Sequence, residues 1–379
     1  MGPAQRCGPS CVTVSVEGMH RRAHRFAVLL PVLALVALLG SCESTPTGSF
    51  NRSKAALSSS ETDTGATTSA PREFTFAAAG DLGANPTTAD SLRNLDASSA
   101  RFFLAVGDLD YDQTATDRAW CRYVKDRLPR KGARYPFELL VGNHEADGGE
   151  DGLIRHHAAC LPDRLDSRGR YARQYVFTFP RTDPFAKFIM IAPRLTADGH
   201  TYRYDPGTAD REWLVNQIDR ARANGIKWVV VGAHYPCLST GSGHPGCASG
   251  HAVHNLLLRK GVDVILNGHN HVYERSSQLA LSPSCPRIPP GEYDADCVVD
   301  SGVDSTYAKG AGTVQVTSGR FGGRPMTVNR ADPDLPYFVA ADAGTTGYTQ
   351  FRVTPTSMEA TYVASTGSFQ DSFVIGPAG

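Results

Sequence analysis

One local pattern recurs five times along the chain: a short apolar segment, then a glycine and, within two residues of it, a polar side chain able to bind a metal ion. The densest copy begins with Val262–Leu266, whose β-branched and apolar residues predict a buried strand. It continues through Gly268–Arg275, where His269 and His271 stand one residue apart on a glycine-led turn. Imidazole is a good ligand for zinc, iron and copper. The pattern requires a fold in which strand ends meet, and open α/β sheets place their sites at that edge.

The four earlier copies end in similar residues. They are Gly80–Gly83, Gly107–Tyr111, Gly142–Glu145 and Gly232–Pro236, which contain Asp81, Asp108, Tyr111, Asn143, His144 and His234. Glycine lets the backbone turn tightly and approach an ion. A single Gly-Asp pair after a strand indicates a turn more often than a metal ligand. Five such elements in chain order, all at strand ends, predict one shared metal site.

Apolar segments alternate with helical patterns after residue 72. The predicted strands are Phe74–Ala79, Phe102–Val106, Phe137–Val141, Phe188–Ile191, Trp228–Val231 and Val262–Leu266. The predicted helices include Asp117–Leu128, Ala209–Ala223 and His251–Lys260. This alternation indicates an α/β fold with a sheet covered on its faces. After Gly310 the pattern predicts only strands and turns, and we expect a second sheet packed against the first. Its predicted strands are Thr313–Thr317, Tyr348–Val353, Glu359–Ala364 and Phe373–Ile375.

Residues 1–42 predict an export signal rather than part of the fold. A basic segment at residues 20–25 precedes the apolar segment Phe26–Leu39, which is shorter than the roughly 20 residues of a membrane-spanning helix. The segment ends in Leu39-Gly40-Ser41-Cys42, which resembles the bacterial lipobox, whose cysteine becomes the lipidated first residue. An ordinary secretory signal with an incidental cysteine is the alternative. Either interpretation predicts an exported protein, which is anchored to the cell membrane and faces outside or is secreted. Met19 is a plausible true start of the chain.

The rest of the chain divides into a linker and one domain. Residues 43–72 are rich in serine and threonine and almost without large apolar side chains, which predicts a flexible linker. Residues 73–379 are long enough for one large domain with a substantial core. The formal net charge of +0 gives no indication of a nucleic-acid partner, and we expect a monomer.

Cysteine usage agrees with export. The cysteines after Cys42 are Cys121, Cys160, Cys237, Cys247, Cys285 and Cys297. An even number in an oxidising compartment suggests disulfides, although six cysteines allow 15 connectivities. Pairing in sequence order is the simplest interpretation. Cys237 and Cys247 would then enclose a loop that contains His244.

Together the motifs resemble those of the calcineurin-like metallophosphoesterases, and within them the purple acid phosphatases. The resemblance covers essentially all of residues 73–379. It rests on GDxG at Gly80–Gly83, GDxxY at Gly107–Tyr111, GNHE at Gly142–Glu145, His-Tyr-Pro at His234 and GHxHxYER at Gly268–Arg275. Many relatives have a histidine where this chain has Gly83, and this difference, together with Tyr111, favours the purple acid phosphatase branch. The implied fold is a four-layer α/β/β/α sandwich, with two packed β-sheets flanked by helices.

The resemblance also implies two metal ions. One would be held by Asp81, Asp108, Tyr111 and His271, and the other by Asp108, Asn143, His234 and His269. Asp108 would bridge them. In the family the first ion is Fe(III) and the second is Fe(II), Zn(II) or Mn(II), and a phenolate with carboxylates suits a trivalent ion. Two metals about 3.5–4 Å apart can clamp a phosphate and lower the pKa of a bound water, giving hydroxide.

His144 and His244 are the candidates for phosphate contact and general acid catalysis. His144 resembles the family's histidine beside the ligand Asn143. His244 has a spacing from His234 close to that in the small mammalian-type enzymes. His251 and His254 compete with His244 for this role, although His254 is expected to face solvent or the core.

Four other polar residues are expected to have no part in the chemistry. His156 and His157 are interpreted as surface residues, and Glu274 and Arg275 as a structural pair near the site.

The function implied by these motifs is hydrolysis of small phosphomonoesters through a metal-bound hydroxide, as in an acid phosphatase. Every ligand position is filled, which favours an enzyme. A phosphodiesterase on the same metal site is one alternative, since loops at the rim of a pocket decide substrate size. A surface phosphate-binding protein without turnover is another. Contact with a membrane is expected only through the lipid anchor.

Overall fold

The structure is a computed structural model that describes residues 72–150, 152–289 and 291–377. The predicted export signal, the lipobox cysteine Cys42 and nearly all of the serine- and threonine-rich linker lie outside the described residues. Within those three ranges, none of the helices combines the length and the apolar character needed to cross a membrane.

Eighteen strands and five α-helices make up the described fold. The strands are β1 (Phe74–Ala79), β2 (Phe103–Val106), β3 (Phe137–Leu140), β4 (Arg168–Arg170), β5 (Gln174–Phe179), β6 (Ala186–Ile191), β7 (Thr196–Ala197), β8 (His200–Thr201), β9 (Trp228–Ala233), β10 (Val264–Asn267), β11 (Tyr273–Leu279), β12 (Val298–Asp300), β13 (Thr306–Ala308), β14 (Thr313–Ser318), β15 (Phe338–Asp342), β16 (Thr346–Val353), β17 (Met358–Thr366) and β18 (Ser372–Gly376). The helices are α1 (Pro86–Ala97), α2 (Asp117–Asp126), α3 (Ile154–Cys160), α4 (Ala209–Ala223) and α5 (His251–Arg259).

The strands form two large mixed sheets and one two-stranded hairpin, β7-β8. The first sheet has seven strands in the order β13-β18-β17-β16-β1-β2-β3. The second has nine, in the order β12-β11-β14-β10-β9-β6-β5-β4, with β15 paired to β11. β1, β2 and β3 run parallel to one another, as do β6, β9, β10 and β14. Parallel strands end at the same edge of a sheet, so the segments that follow β1, β2 and β3 are neighbours, as are those after β9 and β10.

An aromatic core joins the two sheets. Side chains alternate across a strand, so Phe74 and Phe76 of β1 face the second sheet while Ala77 and Ala79 face the helices. The ring of Phe76 meets that of Phe188 edge-on, with centroids 5.0 Å apart. Burying each such side chain stabilises the fold by about 1.5–3 kcal/mol.

Helices cover the outer faces of both sheets. Leu92 of α1 packs on the first sheet, and Leu214 of α4 packs on the second. Helix α1 begins after Asn85, whose side chain accepts a hydrogen bond from the Thr88 N–H at 3.1 Å, with Pro86 in the first turn. The sequence pattern does not predict α1, because polar residues such as Thr88 lie on its buried face.

The predicted α/β fold of two packed sheets is confirmed, but the expected division of strands is wrong. The C-terminal strands do not form a sheet of their own, because β16 pairs antiparallel with β1 and β14 pairs parallel with β10. Each sheet therefore combines strands from both ends of the domain. Helix α4 has the predicted bounds, Ala209–Ala223.

The six cysteines pair in sequence order, as predicted. The disulfides are Cys121–Cys160, Cys237–Cys247 and Cys285–Cys297. The first links α2 to α3, and the second closes a loop that contains His244. Disulfides persist in oxidising compartments, so these bonds indicate an extracellular or secreted protein.

Candidate metal centre

The side chains predicted to bind metal lie together at one edge of the paired sheets. They follow the ends of β1, β2, β3, β9 and β10 and are Asp81, Asp108, Tyr111, Asn143, His234, His269 and His271. Backbone hydrogen bonds join these strand ends. The Asp81 N–H donates to the Gly107 carbonyl at 3.0 Å, and the Gly268 N–H donates to the His234 carbonyl at 3.1 Å. Both sheets therefore present polar side chains to one small volume.

Two glycines permit this close approach. Gly107 has a φ of +96°, and a Cβ added to it would overlap the ring of His234. A Cβ on Gly142 would overlap the carboxylate of Asp108. A larger residue at either position would displace one of the predicted ligands.

Asp81, Tyr111 and His271 form the first donor cluster. The Tyr111 hydroxyl donates to Oδ1 of Asp81 at 2.8 Å and lies 2.9 Å from Nε2 of His271. The same His271 nitrogen lies 3.3 Å from Oδ1 of Asp81. A carboxylate oxygen, a phenol oxygen and an imidazole nitrogen thus converge.

Asp108, Asn143, His234 and His269 form the second donor cluster. One donor atom each from Asp108, His234 and His269 lies within 4.8 Å of the other two. The amide oxygen of Asn143 lies 3.1 Å from Nε2 of His234. The two imidazole rings are 5.1 Å apart between centroids.

Asp108 lies between the two clusters and presents one oxygen to each. Its Oδ1 is 3.2 Å from Nε2 of His234 in the second cluster. Its Oδ2 is 3.4 Å from the hydroxyl oxygen of Tyr111 in the first cluster. The carboxylate is therefore placed to serve two cations at once.

Four of the predicted ligands have left-handed backbone conformations. The φ angles are +62° at Asp81, +53° at Asp108, +55° at Tyr111 and +70° at His269. Non-glycine residues rarely adopt such angles, and residues that do are concentrated at functional sites. The strain is consistent with side chains held in place for binding rather than for packing.

Carbonyl groups fix the orientation of two imidazole rings. Nδ1–H of His234 donates to the Val106 carbonyl at 2.9 Å, and Nδ1–H of His271 donates to the Arg324 carbonyl at 2.6 Å. In each ring Nε2 is the atom that faces the cluster. Metal-binding histidines are commonly oriented in this way by a hydrogen bond from the other nitrogen.

The charges in the site respond strongly to burial and to one another. Burial, followed by the neighbouring His234 and His244, lowers the pKa of His269 to about 2, so its ring is neutral. Burial opposes protonation of His234, but the Asp108 carboxylate raises the pKa of His234 to about 9. Burial alone would raise the pKa of Asp108, but His234 and His144 hold it well below its usual range. The proton on His234 therefore occupies a position that a cation could take, and metal binding would release it.

The donor set fits cations. Nδ1 of His269 is buried and has no hydrogen-bond partner among the described residues. A buried polar atom without a partner is costly, and a ligand removes that cost. The phenol and the carboxylates suit a hard ion, and the imidazoles and the amide oxygen suit a divalent one.

Glu145 is a site residue to which the sequence reasoning gave no role. It is fully buried, and its carboxylate accepts hydrogen bonds from the N–H groups of Asp108, Leu109 and Gly142. It thereby ties the turn after β2 to the turn after β3. Burial and the nearby Asp108 raise the pKa of Glu145 to about 8. Its place in the GNHE motif was the available signal.

The two predicted catalytic histidines lie next to the clusters. Nε2 of His144 is 3.7 Å from Oδ2 of Asp108, and its side chain is 25% exposed. His244 is exposed, and its ring stacks on that of His269. Burial and His271 lower the pKa of His244.

The other histidines lie elsewhere. Nδ1 of His251 is 3.5 Å from Sγ of Cys237, and His254 is in the core, 3% exposed. His156 is exposed, as predicted. The prediction for His157 is wrong, because this residue is fully buried with its ring packed edge-on against Trp120.

The expected pairing of Glu274 with Arg275 is also wrong. Consecutive residues of a strand face opposite sides of the sheet, so the two side chains diverge. Glu274 accepts hydrogen bonds from Ser239 and Thr240, whereas Arg275 forms a two-point ion pair with Asp371, at 2.7 and 2.9 Å.

Comparison with known sequences identifies relatives. The sequence profile described as calcineurin-like phosphoesterase matches residues 74–273. Purple acid phosphatase 22 of Arabidopsis thaliana is 27% identical over 213 residues, which cover 56% of this chain and 47% of the relative. An uncharacterized protein of Mycobacterium tuberculosis is 30% identical over 319 residues, covering 72% of this chain and 58% of that protein. The chain spans about half the length of the plant relatives it matches.

Comparison with solved structures shows the fold. A purple acid phosphatase from yellow lupin (Lupinus luteus) seeds superposes with a TM-score of 0.59 at 15% identity, covering 81% of this chain and 54% of that one. GAP50, the anchor in the inner membrane complex of Plasmodium, superposes with a TM-score of 0.56 at 13% identity, covering 81% of this chain and 90% of GAP50. One fold thus serves a phosphatase and an anchor, so function must be argued from the site.

Proposed function

Since the chain belongs to the calcineurin-like phosphoesterase family, we propose that it hydrolyses phosphomonoesters at the shared edge of its two sheets. The observation that carries this proposal is the position of Asp108, which faces one donor cluster with each of its oxygens. Such a carboxylate suits a pair of metal ions.

Each donor cluster would hold one ion. Asp81, Tyr111 and His271 would hold the first, Asn143, His234 and His269 the second, and Asp108 both. When bound, the ions supply Lewis acidity to the phosphoryl oxygens and lower the pKa of the attacking water. The phenol of Tyr111 favours Fe(III) in the first position, with Fe(II), Zn(II) or Mn(II) in the second.

His144 and His244 would contact the phosphate ester. Both rings adjoin the donor clusters and remain at least partly accessible to solvent. An imidazole there can donate a hydrogen bond to a phosphoryl oxygen and give a proton to the departing alkoxide. The ring of His244 stacks on that of His269 and is exposed to solvent, and we assign to His244 the donation of a proton to the leaving group.

We also propose how the chain is organised and where the protein is located. Residues 73–379 form the catalytic domain and act as a monomer, residues 43–72 form the linker, and residues 1–42 carry the export signal. Cys42 becomes the lipidated first residue, so the domain is held at a membrane surface facing outward. Mass spectrometry of the native N-terminus tests this, and an unmodified start downstream of Cys42 would contradict it.

The test of function is a substrate panel with metal analysis on the same sample. The exported protein is assayed against aryl and alkyl phosphomonoesters and against matched phosphodiesters, before and after chelation. We expect monoester hydrolysis, about two metal ions per chain, and loss of activity on metal removal. His156→Ala, which alters an exposed histidine paired with Asp117, serves as the control and should behave as the wild type.

Two results would overturn the proposal. Faster hydrolysis of diesters than of monoesters would identify a phosphodiesterase. Binding of inorganic phosphate with no turnover of any ester, in a sample that contains both metals, would identify a phosphate-binding protein.

A further inference from the structure

We propose that Asn270, the residue between the two predicted metal-binding histidines, is a positioning residue for His244. It would fix the loop that carries His244, residues 238–246, against the metal turn, residues 268–272. The inference deepens the proposed function, on which its catalytic consequence rests.

The backbone of Asn270 is part of the metal turn. Its N–H donates to the Gly268 carbonyl at 2.8 Å, and its carbonyl accepts from the Val272 N–H at 2.7 Å. The residue is fully buried. A shift of Asn270 would therefore be coupled to a shift of the neighbouring His269 and His271.

The side chain of Asn270 reaches the His244 loop. Its amide nitrogen Nδ2 donates to Oγ of Ser239 at 2.8 Å and to the carbonyl of His244 itself at 3.3 Å. Gly241 lies so close that a Cβ on it would meet the Asn270 amide, 2.6 Å from Cγ. The amide oxygen of Asn270 has no hydrogen-bond partner among the described residues. The side chain of Asn270 therefore holds the loop through the two hydrogen bonds that it donates.

Other restraints hold the same loop at different points. Glu274 accepts from Ser239 and from Thr240, and the Ser242 N–H donates to the Thr327 carbonyl at 2.9 Å. The Cys237–Cys247 disulfide closes its ends. The side chain of Asn270 connects the metal turn to the backbone of His244, so it sets the distance between that residue and the clusters.

Asparagine suits this task because it donates without carrying charge. A carboxylate of the same shape would lose both donors and place an anion against the His244 carbonyl. A leucine of similar volume would fill the space but leave that carbonyl without this partner. Either change should let the His244 ring depart from its stacking on His269, with both clusters intact.

The experiment compares Asn270→Leu with a matched control, Asn94→Leu. Asn94 of α1 donates two hydrogen bonds of the same types, to the carbonyl of Ala364 at 3.2 Å and to Oγ of Ser365 at 3.3 Å. Each variant is made alone and together with His244→Ala in the metal-loaded protein. The measurements are kcat and KM on an alkyl and an aryl phosphate, metal content, and hydrogen exchange of the loop by mass spectrometry.

We expect Asn270→Leu to retain both metals and to lower kcat on the alkyl ester by about tenfold or more, with a smaller loss on the aryl ester. When His244→Ala is already present, Asn270→Leu should lower kcat on the alkyl ester almost no further, because both substitutions remove the same contribution of His244. Exchange should rise in residues 238–246. Asn94→Leu should change none of these properties.

The proposal would be overturned if the losses in kcat from Asn270→Leu and His244→Ala were additive in the double variant. It would also be overturned if hydrogen exchange of residues 238–246 were unchanged in Asn270→Leu. If Asn270→Leu does not fold, Asn270→Ala removes the same donors with less bulk and is judged in the same way. If the wild type has no phosphatase activity, the proposed function fails, and the exchange measurement by itself decides whether Asn270 holds the loop.

Discussion

The imidazole rings of His244 and His269 lie face to face, with centroids 3.9 Å apart and planes inclined by 19°. His269 follows β10 and is a predicted metal ligand, whereas His244 lies in the disulfide-closed loop after β9. The proposed proton donor is thus stacked on a proposed ligand, and movement of the loop would alter catalysis before it altered metal binding.

Replacing Asp108 should abolish activity. Asp108→Ala removes the carboxylate that presents one oxygen to each cluster, so two cations would lose their shared anion and their spacing. We expect the rate to fall by about 10³-fold or more, without recovery on addition of iron, zinc or manganese. Activity and bound metal are measured together. Asp90→Ala, in an exposed ion pair with Arg93 on α1, is the control. Normal turnover of Asp108→Ala would refute the two-metal interpretation.

Replacing His244 should affect esters according to their leaving groups. His244→Ala should keep both metals and slow alkyl phosphates by about 10²-fold, because an alkoxide needs a proton to leave. An activated aryl phosphate should be largely spared. The ratio of kcat/KM for the two ester types is the measurement, and His156→Ala is the control. Equal loss on both ester types would reassign the acid to His144.

Colour should report on Tyr111. Without a metal, burial and the carboxylates of Asp81 and Asp108 raise the pKa of Tyr111 well above its ordinary value. Fe(III) would displace that proton, and the phenolate should give a visible absorption band. Tyr111→Phe should remove the band while keeping the fold, and Tyr235→Phe, whose ring lies 4.5 Å from that of His269, should keep it. A colourless, fully active wild type with two divalent metals would contradict this assignment.

Stability should fall as the pH rises, in part because of Glu138 on β3. Burial raises the pKa of this fully buried carboxyl group from 4.5 to about 8. Between those values the folded chain keeps a proton that the unfolded chain has released, so the group lowers the free energy of unfolding by up to about 1.4 kcal/mol per pH unit.

Glu138→Gln should remove this contribution. Thermal unfolding from pH 5 to 8 should show a flatter decline for the variant than for the wild type. Glu359→Gln, which alters an exposed carboxylate paired with Arg352, should follow the wild type. Parallel profiles for Glu138→Gln and the wild type would show that this carboxyl group is ionised in the fold.

The sequence by itself predicted which polar residues meet at the candidate site, and it predicted much of the scaffold that carries them. Asp108 and His269 could be predicted as metal ligands because a strand followed by a glycine and a polar residue is a local sequence pattern. Parallel strands end at one edge of a sheet, so such residues are expected to lie close together. The disulfides followed the simplest order, and Cys237–Cys247 closes only a short loop. The bounds of α4 also depend on local periodicity and on its Thr208 cap.

Only the tertiary structure decided which distant segments meet. Arg275 pairs with Asp371, which is 96 residues away, rather than with the adjacent Glu274. His157 is buried under Trp120, and β16 joins β1 in one sheet, although neither contact has a local signal. The link from Asn270 to His244 likewise depends on how two loops pack. Such contacts depend on the whole fold, because their energy arises only after distant parts of the chain have been brought together.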